Sequence, residues 1–309
     1  MCTPRILWSI GILVSISGSS HAIDVTDNSS GGAAPQSLAQ TIVDSSTGVT
    51  LVAGSAVTTI NTGGGSGPAS DIRAYGSFAN GTTPAGTLLP ASNQNANGTA
   101  AYAGGIATGE GVCLCTGVLE DEASAATTGR GSGVLGPNNG RDNTSSPSIH
   151  PGEIVTELNT PVDQDFVNAT GLQGGGDATV LQFDVQLSSP GFVRVSFVFG
   201  SDEQPAWIDA DLGVNDSAAI IVNGENIATT TKNSVVTPFK LFEFVDCGLP
   251  LFISNDIAPS PSQLVGSAHS VPGAPRYDIE FGGFTKLLTR ETACPLAPGT
   301  YKVKFVVLR

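Results

Sequence analysis

Residues 179–199, TVLQFDVQLSSPGFVRVSFVF, decide the fold class of this chain. In Thr179–Leu187 apolar side chains alternate with Gln, Asp and Gln, and residues 193–199 repeat the alternation with Val and Phe. A period of two puts the apolar side chains of each run on one face of a β-strand. The Ser-Ser-Pro-Gly sequence at 188–191 is typical of a tight turn. The stretch therefore predicts a β-hairpin of two half-buried strands.

Short apolar or β-branched runs continue on both sides of this hairpin, with turn residues between them. The Asn-Gly pair at 223–224 predicts a second hairpin. In the last run, residues 301–307, the side chains of Tyr301, Val303, Phe305 and Val307 share one face, and Lys302 and Lys304 point outward. Further strands are predicted at residues 49–60 (broken near Gly54), 72–78, 110–116, 218–222, 227–231, 239–245, 250–254 and 277–288. We therefore predict an all-β chain whose residues 35–309 fold as one antiparallel β-sandwich, jelly-roll-like, with one short N-terminal helix at residues 36–43.

The composition agrees with a β-protein and restricts its partners. Only 13% of the residues are charged, whereas Gly occurs 39 times and Pro 19 times, which favours strands and loops over surface helices. The formal net charge is −14. Because nucleic acids and anionic membranes repel an acidic surface, neither is an expected partner. The charge fits a cation as ligand, or simply solubility.

Residues 1–22 have the pattern of a secretory signal peptide. Arg5 precedes an apolar run at residues 6–16, and the small residues Ser20 and Ala22 mark a cleavage site before Ile23. The apolar run is too short to span a bilayer. We therefore expect a secreted or cell-surface protein with no transmembrane segment in the mature chain. Residues 23–34, rich in Ser and Gly, are predicted to form a flexible N-terminal tail.

A loop at residues 202–216 contains five carboxylates between two predicted strands. Hard cations such as Ca²⁺ are held by about six to eight oxygens from carboxylates, amides and carbonyls. Carboxylates so close in sequence also repel one another unless a cation lies between them. The loop therefore predicts a calcium site, although its spacing differs from that of an EF-hand. The predicted ligands are Asp202, Glu203, Asp209, Asp211, Asn215 and Asp216.

Two other interpretations of the acidic loop stay open. Its Asp and Asn side chains could cap turns in a solvated loop that binds no metal. A pair of its acids could instead serve a secreted hydrolase of carbohydrate or peptide, although Asp202 and Glu203 are adjacent and would point to opposite faces of a strand. No nucleophile elbow accompanies His150 or His269. The sequence thus favours a non-catalytic module over an enzyme.

Four cysteines remain after the predicted signal peptide, and an even number in an exported chain allows two disulfides. Cys113 and Cys115 lie two positions apart in a predicted strand, so they face the same side and a bond between them would be strained. A bond from either of them to Cys247 or Cys294 is one expectation. Buried free thiols are the equally open alternative.

The succession of these segments resembles the choice-of-anchor L domain of bacterial surface and secreted proteins. The most specific part is FVFGSDEQPAW at residues 197–207 followed by NDSAAIIVNG at residues 215–224. The other segments match in pattern: SLAQTIV (37–43), GEGVCLCTG (109–117), DQDFVNAT (163–170), ATVLQFDVQL (178–187), FGGFTKLL (281–288) and APGTYKVKFVV (297–307).

The resemblance implies a β-rich extracellular module with no general enzymatic activity. We therefore expect a role in adhesion, matrix association or surface display, with an extracellular protein or polysaccharide as partner. Gln204 departs from the family, which has an aromatic residue after the two acids at this point. Family members also continue into one more strand and an anchor, whereas this sequence stops at Arg309. We expect either a fragment that lacks its last strand or a released form.

Overall fold

The structure is a computed structural model that describes fourteen stretches of the chain. They are residues 24–27, 34–60, 75–79, 87–88, 102–103, 110–114, 163–172, 178–201, 217–229, 245–246, 249–250, 252–254, 283–285 and 287–308. The predicted signal peptide, residues 1–22, lies outside them. None of the helices in the described stretches is long and apolar enough to cross a membrane.

The described stretches are mostly β-strands, and every strand pair in them is antiparallel. The all-β prediction is therefore confirmed, and the sandwich stays a prediction. The strands are β1 (Asp24–Asp27), β2 (Val49–Leu51), β3 (Val57–Ile60), β4 (Tyr75–Ala79), β5 (Thr87–Leu88), β6 (Tyr102–Ala103), β7 (Gly111–Leu114), β8 (Thr179–Leu187), β9 (Arg194–Phe197), β10 (Gly200–Ser201), β11 (Ser217–Val222), β12 (Glu225–Asn226), β13 (Val245–Asp246), β14 (Leu249–Pro250), β15 (Phe252–Ser254), β16 (Gly283–Thr285), β17 (Leu288–Glu291) and β18 (Gly299–Leu308). The helices are α1 (Pro35–Ile42) and α2 (Gln164–Thr170), with a 3-10 turn at Ser45–Thr47.

A six-stranded sheet is the largest sheet in the described stretches. Its order is β12-β11-β18-β8-β2, and β3 pairs with β8 on the same side as β2. The longest strand, β18, is paired with β8 from Gly299 to Val307 and with β11 from Val303 to Leu308. The period of two predicted for β8 and β18 is the reason this sheet has two distinct faces.

Each face of this sheet belongs to its own apolar cluster. On the first face the cluster joins the sheet to α1, to β4 and to the two-stranded β9–β17 ribbon. Its buried members include Leu38, Tyr75, Leu181, Phe183, Val185, Val193, Val195, Ile220, Leu288 and Val303. On the second face α2 packs onto the sheet, and the cluster is Phe166, Ala178, Val180, Ala219, Ile221, Val306 and Leu308. Apolar burial therefore holds the sheet on both sides.

The predicted break near Gly54 is confirmed, and it changes which side chains face the core. Leu51 pairs with Val185, but Val57 pairs with Gln182, so three extra residues separate β2 from β3 opposite β8. An odd shift of register moves every following side chain to the other face. Val57 is consequently 48% exposed.

The predicted hairpin of residues 179–199 is wrong, although both strands exist. β8 pairs with β18, β2 and β3, whereas β9 pairs with β17 in a separate ribbon. Between them, Gly191 exchanges two backbone hydrogen bonds with Leu296, at 3.0 and 2.7 Å, which leads the chain out of the six-stranded sheet. Val193 and Val195 still face the first core, as predicted. Alternation fixes which side chains are buried, but it does not choose the neighbouring strand.

The turn of the second hairpin is confirmed, but its second strand is Glu225–Asn226 and not the predicted residues 227–231. β11 and β12 pair around Asn223-Gly224, and both turn residues have a positive φ, 51° and 83°. This is the backbone of a type I′ turn, which the Asn-Gly pair favours. The register places Ile220 and Val222 on the first face of the sheet.

Two further predictions need correction. The described stretches contain two short helices instead of the one predicted, because Asp163 caps a second helix, α2, whose Phe166 is fully buried against the sheet. The predicted tail of residues 23–34 contains a strand, since Asp24–Asp27 pairs in register with β4. Val25 and Thr26 are β-branched residues that suit this pairing.

Candidate functional site

The acidic loop lies outside the described residues, but both of its ends are fixed. Ser201, just before the loop, ends β10 and pairs with Gly283 of β16. Ser217, just after it, begins β11, pairs with Leu308 of β18 and is buried. Residues 202–216 therefore join a three-stranded sheet (β10, β16 and β15) to the six-stranded one.

The predicted calcium ligands Asp202, Glu203, Asp209, Asp211, Asn215 and Asp216 all fall in that loop, so calcium binding stays a prediction. Within the fourteen described stretches, no three His, Cys, Asp or Glu side chains converge as metal ligands would.

Two of the four candidate disulfide cysteines are in the described stretches. Cys113 is buried on β7, and Cys294 is an exposed thiol after β17. Cys115 and Cys247 lie outside the described residues, so the pairing of the cysteines also stays a prediction.

The structure brings together a charged cluster that the sequence did not indicate, formed by Lys304, Asp163 and Asp165 and called here the Lys304 cluster. The Lys304 Nζ atom lies 3.0 Å from Oδ2 and 3.2 Å from Oδ1 of Asp163, and 2.5 Å from Oδ2 of Asp165. Lys304 is only 8% exposed. A buried ammonium group is tolerated because two carboxylates surround it.

The fold positions each member of the Lys304 cluster separately. Lys304 lies in the middle of β18 on the second face of the sheet, between Gln182 of β8 and Ile221 of β11. Asp163 is the N-cap of α2, and its Oδ1 atom accepts a hydrogen bond of 3.0 Å from the backbone N–H of Phe166. The burial of Phe166 anchors the helix so that its first turn faces the lysine.

Electrostatics favour the ionised forms of Asp165 and Lys304. The hydrogen bond from Lys304 lowers the pKa of Asp165 below its usual value, despite partial burial. Burial alone would lower the pKa of Lys304, but the hydrogen bonds to Asp165 and Asp163 outweigh it and the pKa is raised. The exposed fractions of the two acids differ, with the Asp163 side chain at 12% and that of Asp165 at 51%. The cluster thus presents one partly buried and one exposed carboxylate to the same amine.

The β9–β17 ribbon carries a second group of polar side chains. On its outer face Arg194 forms an ion pair with Glu291, and Ser196 shares a hydrogen bond with Thr289. On its inner face the Arg290 Nε atom donates to the carbonyl oxygen of Thr229 at 2.7 Å. The buried Nη2 atom of Arg290 has no hydrogen-bond acceptor in the part of the chain that the structure describes. This arginine holds the end of the β11–β12 hairpin against the ribbon.

The sequence did not indicate the Lys304 cluster, because Lys302 and Lys304 alternate with apolar residues and this pattern predicts a solvent-exposed face. One signal was present: Asp163 stands three positions before Phe166, and Gly171 follows, which is the pattern of a capped helix. That helix covers the face to which Lys304 points.

Comparison of the chain with models of protein families, with curated proteins and with solved structures found no match.

Proposed function

We propose that this chain is a secreted or cell-surface, non-catalytic module for adhesion, matrix association or surface display, related to the choice-of-anchor L domain. The observation that carries the proposal is that the residues on either side of the acidic loop, Ser201 and Ser217, lie in paired strands of two sheets. Loops fixed on a rigid base are common binding elements. The signal-like residues 1–22 support an extracellular location.

The proposed loop ligand is Ca²⁺, which stabilises the module. The ends of the loop are held by Ser201 and Ser217, so the chain has already lost part of the entropy that ordering the ligands would cost. Five carboxylates and Asn215 supply enough oxygens for this cation. An acidic loop neutralised in this way can then contact a polysaccharide or an extracellular protein.

The test is thermal unfolding of the full chain in EDTA and in excess Ca²⁺. A ligand at about 100 times its Kd adds about 2.7 kcal/mol to the free energy of unfolding, and we expect Tm to rise by about 5 °C or more. The Asp209→Asn, Asp211→Asn double variant should lose this shift. Glu225→Gln removes an exposed acid outside the loop and should keep it.

An unchanged Tm would contradict the calcium proposal. Turnover of a carbohydrate or peptide substrate that disappears in Asp202→Asn or Asp216→Asn, while the variant stays folded, would contradict the non-catalytic role and favour a secreted hydrolase.

A further inference from the structure

The Lys304 cluster holds a buried amine against a carboxyl group in a way that can do more than pair charges. We propose that Lys304 Nζ and Asp163 Cγ condense into an intramolecular isopeptide bond, with release of water and with Asp165 as the group that moves the protons. This covalent tie between α2 and β18 does not depend on the adhesive or calcium-binding role proposed above.

The geometry selects Asp163 as the acyl donor. Both of its carboxyl oxygens lie within 3.2 Å of Nζ, so the Cγ atom that joins them is close to the amine. Its side chain is 12% exposed, which limits the water that competes with the amine. Its Oδ1 atom also accepts the backbone N–H of Phe166 at 3.0 Å. A fixed donor at that oxygen stabilises the negative charge that forms there when the amine adds to Cγ.

Asp165 is placed to act as the proton acceptor and donor. Its Oδ2 atom is 2.5 Å from Nζ and touches the same amine as Asp163. Its side chain is 51% exposed, so water produced beside it has a path to solvent. General acid–base groups must lie within hydrogen-bond reach of the proton that they move, and Asp165 meets this condition.

The steps balance in atoms and charge. Lys304 begins as –NH₃⁺ and Asp163 as –COO⁻. One proton passes from Nζ to Asp165, and the neutral amine attacks Cγ to form the C–N bond. Oδ2 then leaves as water, taking the proton held by Asp165 and a second proton from the nitrogen. The products are a neutral secondary amide, one water molecule and the regenerated carboxylate of Asp165.

Two features make condensation feasible in water. Reacting groups held in one geometry can reach effective molarities of about 10⁵ to 10⁸ M, which offsets the unfavourable balance that an amide has in dilute solution. The fold supplies the geometry, because Phe166 fixes α2 and the pairing of β18 fixes Lys304. Since the pKa of Lys304 is raised and that of Asp165 is lowered, the neutral amine is a minor species, and we expect the bond to accumulate slowly after folding.

The test is the intact mass of the full chain under denaturing conditions, followed over time after folding. We expect the wild type to lose the mass of one water molecule, and a protease digest to contain a branched peptide that joins Asp163 to Lys304. Folded wild type that keeps its full mass overturns the proposal. Wild type held in urea should also keep its full mass, because only the fold brings the two residues together.

Three variants separate this bond from other losses of water. Lys304→Arg keeps the positive charge but should keep its full mass, whereas loss of water through cyclisation at an Asp would persist in it and count against the proposal. Asp163→Asn should lose ammonia instead, so its product has the mass of linked wild type. Asp165→Asn, folded as judged by circular dichroism, should link about 100-fold more slowly. If Asp165→Asn reached the mass of linked wild type and its digest contained a peptide branched at residue 165, residue 165 would be the acyl donor. That result would overturn the assignment of Asp163.

Discussion

At the scale of single residues, Lys304 shows that the exposure of a polar side chain depends on the elements packed around it. Its alternation with Val303 and Phe305 correctly places it on the face opposite the first core. Its exposure depends on what covers that face, and α2 covers it. Lys302, two residues earlier on the same face, is exposed. The difference is the position of α2 and not the residue type.

The Lys304 cluster should limit the pH range of stability in every chain that has not lost water. The pKa of Asp165 is lowered in the folded state, so its contribution is present above the unfolded value of about 3.8 and is lost as pH falls through the folded pKa. The pKa of Lys304 is raised, so its contribution is present below 10.5 and is lost as pH rises through the folded pKa. Urea unfolding across the pH range should show a plateau between these limits.

The matched variant for the acid side is Asp165→Asn, which keeps the shape of the side chain but cannot ionise. Its free energy of unfolding should fall less steeply than that of wild type without the Lys304–Asp163 bond as the pH drops below about 4. If the free energy of unfolding fell equally steeply with pH in both chains, Asp165 would not contribute to the acid sensitivity of the fold. Asp44, whose pKa is lowered by its hydrogen bond with Ser46, remains in both chains and cancels in the comparison.

At the scale of elements, α2 depends on packing more than on its own sequence. Seven residues are too few for a stable isolated helix, even with Asp163 as N-cap and Gly171 at its end. Phe166 is 0% exposed and joins the helix to the second apolar cluster. The helix therefore forms because the sheet offers an apolar surface to Phe166.

Phe166→Ala should lower the free energy of unfolding by about 3–5 kcal/mol, because it removes a large buried side chain and leaves a cavity. Urea unfolding measures this loss. Leu172→Ala, two residues beyond the helix and 37% exposed in the wild type, is the control and should cost less than about 1 kcal/mol. Similar effects of the two substitutions would contradict the packing of α2 on the sheet.

At the scale of the whole molecule, one sheet is shared by both apolar clusters. Phe183 of β8 lies in the first cluster, and Val180 of the same strand lies in the second. Phe183 also stacks on Phe305 of β18, with ring centroids 5.9 Å apart. Loss of packing on either face should therefore weaken the same strands.

This sharing predicts a single cooperative transition for the described elements. Phe183→Leu, on the first face, and Ile221→Val, on the second, should each lower the midpoint of urea unfolding without splitting the curve. The measurement compares far-UV circular dichroism with near-UV aromatic signals. Two separated transitions, each shifted by only one of the substitutions, would show that the two faces unfold independently and that residues 35–309 are more than one folding unit.

The sequence predicted the elements that depend on local rules. Alternation located β8 and β18, Pro35 located α1, and Asn223-Gly224 located the β11–β12 turn. Each of these rests on a property of neighbouring residues, either a side-chain period or a permitted φ. Gly54 was also identified as a break, because glycine interrupts a β-branched run.

The sequence by itself determined that this chain is all-β and which side chains of its main strands face the first core, since period and turn chemistry are local. Only the tertiary structure decided that β8 and β9 lie in different sheets, that Asp24–Asp27 pairs with β4, and that α2 buries Lys304 beside Asp163 and Asp165. These outcomes depend on which surfaces meet between residues far apart in the chain, such as Ser196 and Thr289, 93 positions apart, or Asp163 and Lys304, 141 positions apart. A pattern of neighbouring residues predicts which side chains a strand can bury, but the packing of the whole sheet determines which strand it pairs with.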